Sequence, residues 1–296
     1  MDPSNAPEVR PFHPYTELRN RLSELFLEAL ATPERGFYVL WLRTYCRLAQ
    51  PERLAIPLPS LVEAVSREAA NYSGADRRVP LEALLADFDL LQLRHLESGN
   101  VYRGSASLDA LRWSAEDAVE LYPEFRDYAG YAAQRAEKYW AVVGHLIQQE
   151  RIQGGVEGAV AQGVLVFNAG LYFEYHELLE DHWRAEVGAR KPFLQGLIQV
   201  AVGLHHWENG NYTGAVLLLR EGAERLRVGR PHMLGLDVEP FYHQVHAARS
   251  ALEELGREHT RELNSALIPR QRPHPVPSPC GRGNRVRALA SRLRPS

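Results

Sequence analysis

Two stretches of sequence decide the fold: residues 157–185, EGAVAQGVLVFNAGLYFEYHELLEDHWRA, and residues 192–227, PFLQGLIQVAVGLHHWENGNYTGAVLLLREGAERLR. Each stretch predicts two helices separated by a glycine, and Gly170 aligns with Gly210 at an offset of 40 residues. Glycine is favoured just past the end of a helix, where the backbone turns left-handed. Two helical repeats are too few for a solenoid. These stretches therefore predict a compact bundle of tandem helix hairpins.

The rest of the chain is also mostly helical in pattern. Apolar residues recur at three- and four-residue steps, and this spacing predicts helices over residues 15–30, 36–49, 60–70, 81–96 and 128–149. Ser114, followed by Glu116 and Asp117, is typical of the start of another helix. A turn at residues 97–100 predicts a small hairpin, which would use the end of the fourth helix as its first strand. The predicted fold class is all-α, with a mainly helical N-terminal region that includes this hairpin.

The domain organisation follows from breaks in this pattern. Gly154-Gly155 interrupts the helical spacing and marks the boundary of the hairpin domain. We predict a mainly helical region over residues 1–113, connecting helices over 114–153, the helical-hairpin domain over 154–268, and a disordered basic tail over 269–296. The tail contains six prolines and no sustained apolar period, which is typical of disorder. A winged helix, built from two helices and the hairpin, is the alternative for residues 50–112.

Charge is unevenly distributed along the chain. The net charge is −3, but the tail contains seven arginines and no acid, which leaves −10 on residues 1–268. An acidic body repels nucleic acid and anionic membranes, so we expect neither as the main partner and leave a homo-oligomer or a protein partner open. There is no apolar signal-peptide core and no apolar run long enough to span a bilayer, and Cys46 and Cys280 are too few for a disulfide framework. We expect a cytoplasmic protein.

The polar side chains that could carry chemistry lie on the helix predicted over residues 172–185. At 100° per residue, one face of this helix combines two polar residues with three apolar ones: Phe173, His176, Leu179, Glu180 and Trp183. Glu177 borders this face, and Glu174 is predicted to point away from it. Because the aromatic residues need burial, we expect the histidine and the glutamate to be buried with them. A buried carboxylate requires a partner.

The next helix brings further polar groups toward the same space. Gln195, Gln199 and His206 fall on one stripe of that helix, His205 lies beside them, and Asn168 ends the first helix of the domain. Two interpretations of this set remain open. One is a divalent metal site, and the other is a buried hydrogen-bond network that holds the helices together.

The metal interpretation assigns a role to each residue. Its ligands to zinc or a similar ion are His176, Glu180 and His206. Glu177 is the general base or a fourth ligand, Gln199 or Asn168 orients the substrate, and Gln195, His205 and Trp183 line the site. His176-Glu177 begins like the HExxH motif of zinc proteases, but glutamate stands where the second histidine belongs.

This set of residues resembles the family of bacterial and archaeal proteins called domain of unknown function 309. The family motif appears here as Phe167-Asn168, YFEYHELLE from Tyr172 to Glu180, Trp183, Gly196-Leu197-Ile198-Gln199, His206, and Gly210-Asn211 with Gly214-Ala215. The resemblance covers about residues 163–238. It implies an all-helical fold and, from a label given to the family, a metal-dependent hydrolase, but it implies no substrate.

Three functional hypotheses therefore stand. The first is a metal-dependent hydrolase that uses the His/Glu cluster. The second is a non-enzymatic helical-repeat scaffold that binds a protein partner, in which the same polar residues hold the hairpins in register. The third is a regulator that uses residues 50–112 on DNA, against which the acidic residues of the predicted recognition helix argue.

Overall fold

The computed structural model describes residues 13–32, 35–72, 81–102, 114, 116–147 and 154–274. The chain divides into two compact units, residues 1–148 and 149–296, and the division falls close to the Gly154-Gly155 break. Ten α-helices and six short strands lie within the described ranges, so the prediction of an all-α helical bundle is confirmed. No helix in those ranges combines the length and apolar character that crossing a bilayer requires.

Five helices make up most of the first unit: α1 (Pro14–Ala31), α2 (Gly36–Leu48), α3 (Leu58–Ala69), α4 (Leu81–Asp87) and α5 (Ala129–Ile147). The apolar face predicted for α1 is buried, since Leu18, Leu22 and Leu25 are fully enclosed. Phe26 of α1 stacks on Tyr139 of α5, with ring centroids 4.4 Å apart. Because aromatic side chains bury more apolar area than other residues, this stack ties the two helices together.

A small antiparallel sheet completes the first unit. It consists of β1 (Ile56–Pro57), β2 (Leu91–His95), β3 (Val101–Tyr102) and β4 (Asp117–Leu121), in the order β1-β4-β2-β3. The predicted hairpin is confirmed as β2 and β3, in which Leu93 pairs with Tyr102. Helices α3 and α4 followed by this hairpin have the element order considered for a winged helix. Binding of DNA by this region stays a prediction.

Two local predictions in the first unit are wrong. The helix predicted over residues 81–96 ends at Asp87, and β2 follows it. The helix predicted from Ser114 is β4, and the Ser114 N–H donates instead to the Asp117 carboxylate at 2.8 Å in a turn. Strand β4 lies between β1 and β2, and all five of its residues are buried. Ladder hydrogen bonds and burial outweigh the local capping signal, so the predicted connecting region begins with β4 and a 3₁₀ turn, and its helix is α5.

Tyr45 joins helix α2 to the sheet. Its buried hydroxyl accepts a hydrogen bond from the Leu121 N–H at 2.7 Å and donates one to the Leu54 carbonyl at 2.9 Å. Desolvation raises the pKa of this hydroxyl, which keeps it protonated and able to donate. The bond satisfies a backbone N–H that would otherwise be buried without a partner at the end of β4.

The second unit consists of the two predicted helix hairpins and a further helix. Its elements are α6 (Gly155–Asn168), α7 (Tyr172–Ala185), α8 (Arg190–Glu208), α9 (Tyr212–Leu226), β5 (His232–Met233), β6 (Leu236–Asp237) and α10 (Val238–Leu255). Gly170 and Gly210 have φ of 69° and 72°. This left-handed backbone is strained for residues with a side chain, so the repeat predicted from these two glycines is confirmed at both hairpin turns.

The segment from Pro269 to His274 is ordered, which corrects the prediction of a disordered tail from residue 269. Gln271 is 1% exposed, and the segment pairs with β6 through an antiparallel bridge between Leu236 and Pro273. The pairing is set by residues far away in the sequence, which explains why composition alone did not reveal it. The remainder of the predicted tail, residues 275–296, lies outside the described residues.

Candidate metal centre on helix α7

Helix α7 faces the core with a different side from the one predicted. Its buried residues are Tyr172, Glu174, Tyr175 and Leu179, whereas His176 and Glu180 are 22% and 30% exposed. Glu174, predicted to point outward, is fully buried. The prediction took two half-buried aromatic residues of the helix as its anchors. Tyr175 instead fills the core, and its enclosed position rotates the helix and brings His176 and Glu180 to the edge of the packed face.

Three side chains on α7 nevertheless converge. His176, Glu177 and Glu180 each offer a ligand atom, and these atoms all lie within 4.8 Å of one another. The two carboxylates lie beside different nitrogens of the His176 imidazole: Glu177 Oε1 is 3.4 Å from Nδ1, and Glu180 Oε2 is 3.8 Å from Nε2. The Phe173 carbonyl is 3.3 Å from Nδ1. Nδ1 is therefore positioned against acceptors, which leaves Nε2 as the ligand nitrogen.

Neighbouring groups orient this cluster. The Phe173 ring lies edge-on to the His176 ring, with centroids 5.6 Å apart. Arg184 bonds the second oxygen of Glu180 at 2.8 Å and the Asp181 carboxylate at 3.0 Å. Glu180 is thus held between a guanidinium and an imidazole, and one of its oxygens points toward Nε2.

The donor set suits a borderline divalent cation. Imidazole nitrogen and carboxylate oxygen are ligands of zinc, with bond lengths of about 2.0–2.2 Å. Two such ligands on a tetrahedral ion lie about 3.4 Å apart, and the separation of 3.8 Å between Nε2 and Glu180 Oε2 is within reach of a small rotation of either side chain. An ion held by His176 and Glu180, which are 22% and 30% exposed, would keep coordination positions open to water, as catalytic metal sites do.

His206 does not join this cluster. Among the described residues the convergent group contains only the three α7 side chains. His206 lies in the last turn of α8, where Nδ1 is 3.1 Å from the Asn211 amide nitrogen, and a Cβ on Gly214 would approach its ring to 2.8 Å. The structure therefore does not bring His206 together with His176 and Glu180. Its spacing on α8 is compatible with the metal site, but the packing of α8 against α9 places the ring at the start of α9.

The other predicted residues of α8 also serve other contacts. Gln199 donates to Glu221 of α9 at 2.8 Å, and this bond ties the second hairpin together. The His205 ring lies 5.7 Å from that of Phe173, and Gln195 is half-buried.

Trp183 lies one turn after the cluster on α7. Its ring faces Lys191 Nζ at 5.6 Å, and its buried Nε1 has no hydrogen-bond partner within the described part of the chain. Lys191 also donates to the Arg184 carbonyl at 3.2 Å. These contacts place Trp183 at the junction of α7 and α8, beside the predicted metal site.

Asn168 binds backbone instead of facing the cluster. Its amide nitrogen donates to the Gln271 carbonyl and its oxygen accepts from the Gln271 N–H, both at 2.9 Å. The Gln271 side chain in turn donates to the Tyr175 hydroxyl at 2.7 Å. Sequence reasoning missed Gln271, Tyr175 and the buried Glu174. In the sequence, Arg270 and Arg272 alternate with the uncharged Pro269, Gln271 and Pro273, and this two-residue period is the signal that could have indicated a paired strand there.

Comparison with known proteins shows that part of the chain is similar to a family of unknown function. Residues 160–218 match the family described as "Domain of unknown function (DUF309)". The predicted resemblance is confirmed over this segment. The uncharacterized protein YpuF of Bacillus subtilis (strain 168) is 33% identical over 93 residues, which are 31% of this chain and 42% of YpuF. The chain thus matches less than half the length of this relative. No solved structure matches the chain.

The matched segment contains the complete α7 cluster. His176, Glu177 and Glu180 all lie within residues 160–218, as do Asn168 and Gln199. Gln271, which Asn168 contacts, lies outside that range. The comparison therefore supports the cluster as part of the segment shared with the family, and it assigns no activity to it.

Proposed function

We propose that this protein is a metal-dependent hydrolase whose divalent ion is held by His176 and Glu180, with Glu177 beside them. The observation that carries the proposal is the convergence of one imidazole and two carboxylates within 4.8 Å on α7. The ligand set differs from the one predicted by the loss of His206. Bound there, a divalent ion would lower the pKa of a coordinated water to about 7.

The contacts around His176 and Glu180 support a separate role for each neighbouring residue. The Phe173 carbonyl and Glu177 hold His176 through Nδ1, and such second contacts fix the orientation of a ligating histidine. Arg184 holds Glu180. Glu177 is 36% exposed, so its carboxylate is also accessible to accept a proton from a substrate or a water molecule.

Metal content and hydrolysis are tested separately. Protein purified without a metal-affinity tag is analysed for bound metal after incubation with Zn²⁺ or Mn²⁺ and desalting. We expect about one equivalent in the wild type and less than about a tenth in His176→Ala, because this variant lacks the imidazole ligand and Glu180 alone would hold the ion weakly. His206→Ala is the matched control, and its metal content should equal that of the wild type. Equal metal content in His176→Ala and the wild type would remove the metal centre from α7.

Hydrolysis is then assayed on a panel of chromogenic phosphate esters, carboxylate esters and amides. Glu177→Gln should retain the metal and lose most of the turnover, since the amide cannot accept the proton. If the protein binds metal but hydrolyses no substrate of the panel, the metal site stands and the hydrolase proposal is refuted.

The geometry also favours a second candidate, the helical scaffold. Asn168 and Gln199, which the metal interpretation assigned to the substrate, are used in contacts between segments of the chain. In a scaffold, the His176 side chain would stabilise the packing of the helices without a bound metal. The melting temperature of His176→Ala in EDTA should then fall by several degrees, whereas a pure metal ligand leaves the EDTA-treated protein unchanged.

A further inference from the structure

Residues 269–274 lie across the second unit as an extended segment. Buried and exposed residues alternate along it: Pro269 and Gln271 are buried, and Arg270 and Arg272 are exposed. This two-residue period is that of a β-strand with one face against the protein. The segment therefore contacts the helices as an extended peptide would.

Most of the contacts recognise the backbone of this segment. The Asn168 side chain pairs with both the N–H and the carbonyl of Gln271. The Arg270 N–H donates to the Gln244 side chain of α10 at 2.8 Å. Such bonds hold any extended chain of the right length, because they do not read side chains.

Strand β6 contributes the second half of the backbone recognition. The Asp237 N–H donates to the Arg272 carbonyl at 2.9 Å, and the His274 N–H donates to the Gly235 carbonyl at 2.7 Å. The segment thereby adds a strand to the β5–β6 hairpin, which is the mode by which many domains bind peptides.

One position of the segment is read by its side chain. Gln271 enters a buried site, where its amide nitrogen donates to the Tyr175 hydroxyl, and desolvation raises the pKa of that hydroxyl. At the end of the segment, the His274 ring stacks on the His232 ring with centroids 4.2 Å apart. Backbone clamps together with one buried side-chain site give both affinity and selectivity.

We propose that Asn168, Tyr175, Gln244 and the edge of β6 form a binding groove for an extended, glutamine-containing peptide, and that the chain's own residues 269–274 occupy it. The side chain that it selects is the glutamine, which corresponds to Gln271. The same groove accepts this pattern from another chain when the chain's own segment is released. The groove shares no residue with the α7 cluster, so its binding of a peptide is measured separately from metal content.

The test cuts the segment free from the folded protein. Residues 264–267 are all exposed, so a specific protease site is inserted there in the full chain and cleaved after purification. We expect the released C-terminal piece to remain bound in native mass spectrometry. A fluorescent peptide of residues 268–274 should then exchange into the groove, and fluorescence anisotropy measures its affinity.

Matched variants test the recognition. A peptide with Gln271→Ala should bind about tenfold or more weakly, since a buried hydrogen bond is lost and the Tyr175 hydroxyl loses its donor. A peptide with Arg270→Ala is the control and should bind like the parent, because that side chain is exposed. Asn168→Ala in the body should weaken both peptides alike.

Three results would overturn the proposal. The first is that the cleaved piece separates while circular dichroism shows the body still folded. The second is that cleavage itself removes helicity, which would make the segment an integral element of the fold. The third is equal binding of the Gln271→Ala and Arg270→Ala peptides, which would show that the groove does not select glutamine.

Discussion

The hydrogen bond between Tyr175 and Gln271 provides a quantitative test of how the second unit is held together. Tyr175 is fully buried, Gln271 is 1% exposed, and their polar atoms are 2.7 Å apart. The Gln271 Oε1 atom is buried without a hydrogen-bond partner among the described residues. Replacing Tyr175 by phenylalanine removes the acceptor and leaves the whole Gln271 amide buried and unpaired.

The expected cost follows from these contacts. A hydrogen bond contributes about 0.5–1.5 kcal/mol net, and a buried unpaired polar group costs about 1–3 kcal/mol. Tyr175→Phe should therefore lower the free energy of unfolding by about 2 kcal/mol. In a Gln271→Leu background the amide is absent, so Tyr175→Phe should cost less than about 0.5 kcal/mol. The coupling between the two substitutions is then about 1.5–2 kcal/mol.

Native-state hydrogen exchange on the amides of α7 measures these free energies within the second unit. All four proteins of the cycle are compared at one pH and temperature, and circular dichroism checks that each is folded. If Tyr175→Phe costs the same in both backgrounds, the hydrogen bond contributes nothing to stability. That result would refute the inference that the Tyr175 hydroxyl stabilises the buried Gln271 side chain.

Three further predictions concern other buried groups. Tyr45→Phe should destabilise the first unit by about 2–4 kcal/mol in urea unfolding, because it removes two backbone hydrogen bonds and leaves a buried N–H unpaired; a cost below about 0.5 kcal/mol would contradict this. Burial lowers the pKa of His246 and the nearby Arg249 lowers it further, so the unfolded chain binds more protons and stability should fall as the pH drops below about 6.5. His246→Leu should flatten this part of the pH dependence, and an unchanged slope would exclude His246 as its source. Burial raises the pKa of the Cys46 thiol to about 12, so little of this half-buried thiol is thiolate at pH 8. In a chain whose other cysteine is serine, a thiol reagent at pH 8 should label Cys46 much more slowly in the native than in the unfolded protein, and equal rates would contradict the raised pKa.

Local periodicity was sufficient for most of the fold. The apolar spacing of α1 predicted its buried face, and Gly170 and Gly210 predicted both hairpin turns, because each of these signals depends on residues within one or two turns of each other. Strand β4 could not be predicted in the same way. It is buried on both faces and lies between two other strands, so its identity depends on partners that its own sequence does not specify.

In the candidate site, too, some features follow from the local sequence and others depend on tertiary packing. By itself the sequence determined that His176 and Glu177 both lie close to Glu180, since residues three and four apart in a helix are neighbours whatever surrounds it. Only the tertiary structure decided that His206 packs at the start of α9 and that Asn168 hydrogen-bonds to Gln271, a residue 103 positions away. Those outcomes depend on how helices and an extended segment pack against each other, and that packing is set by burial of side chains such as Tyr175 rather than by spacing along the chain.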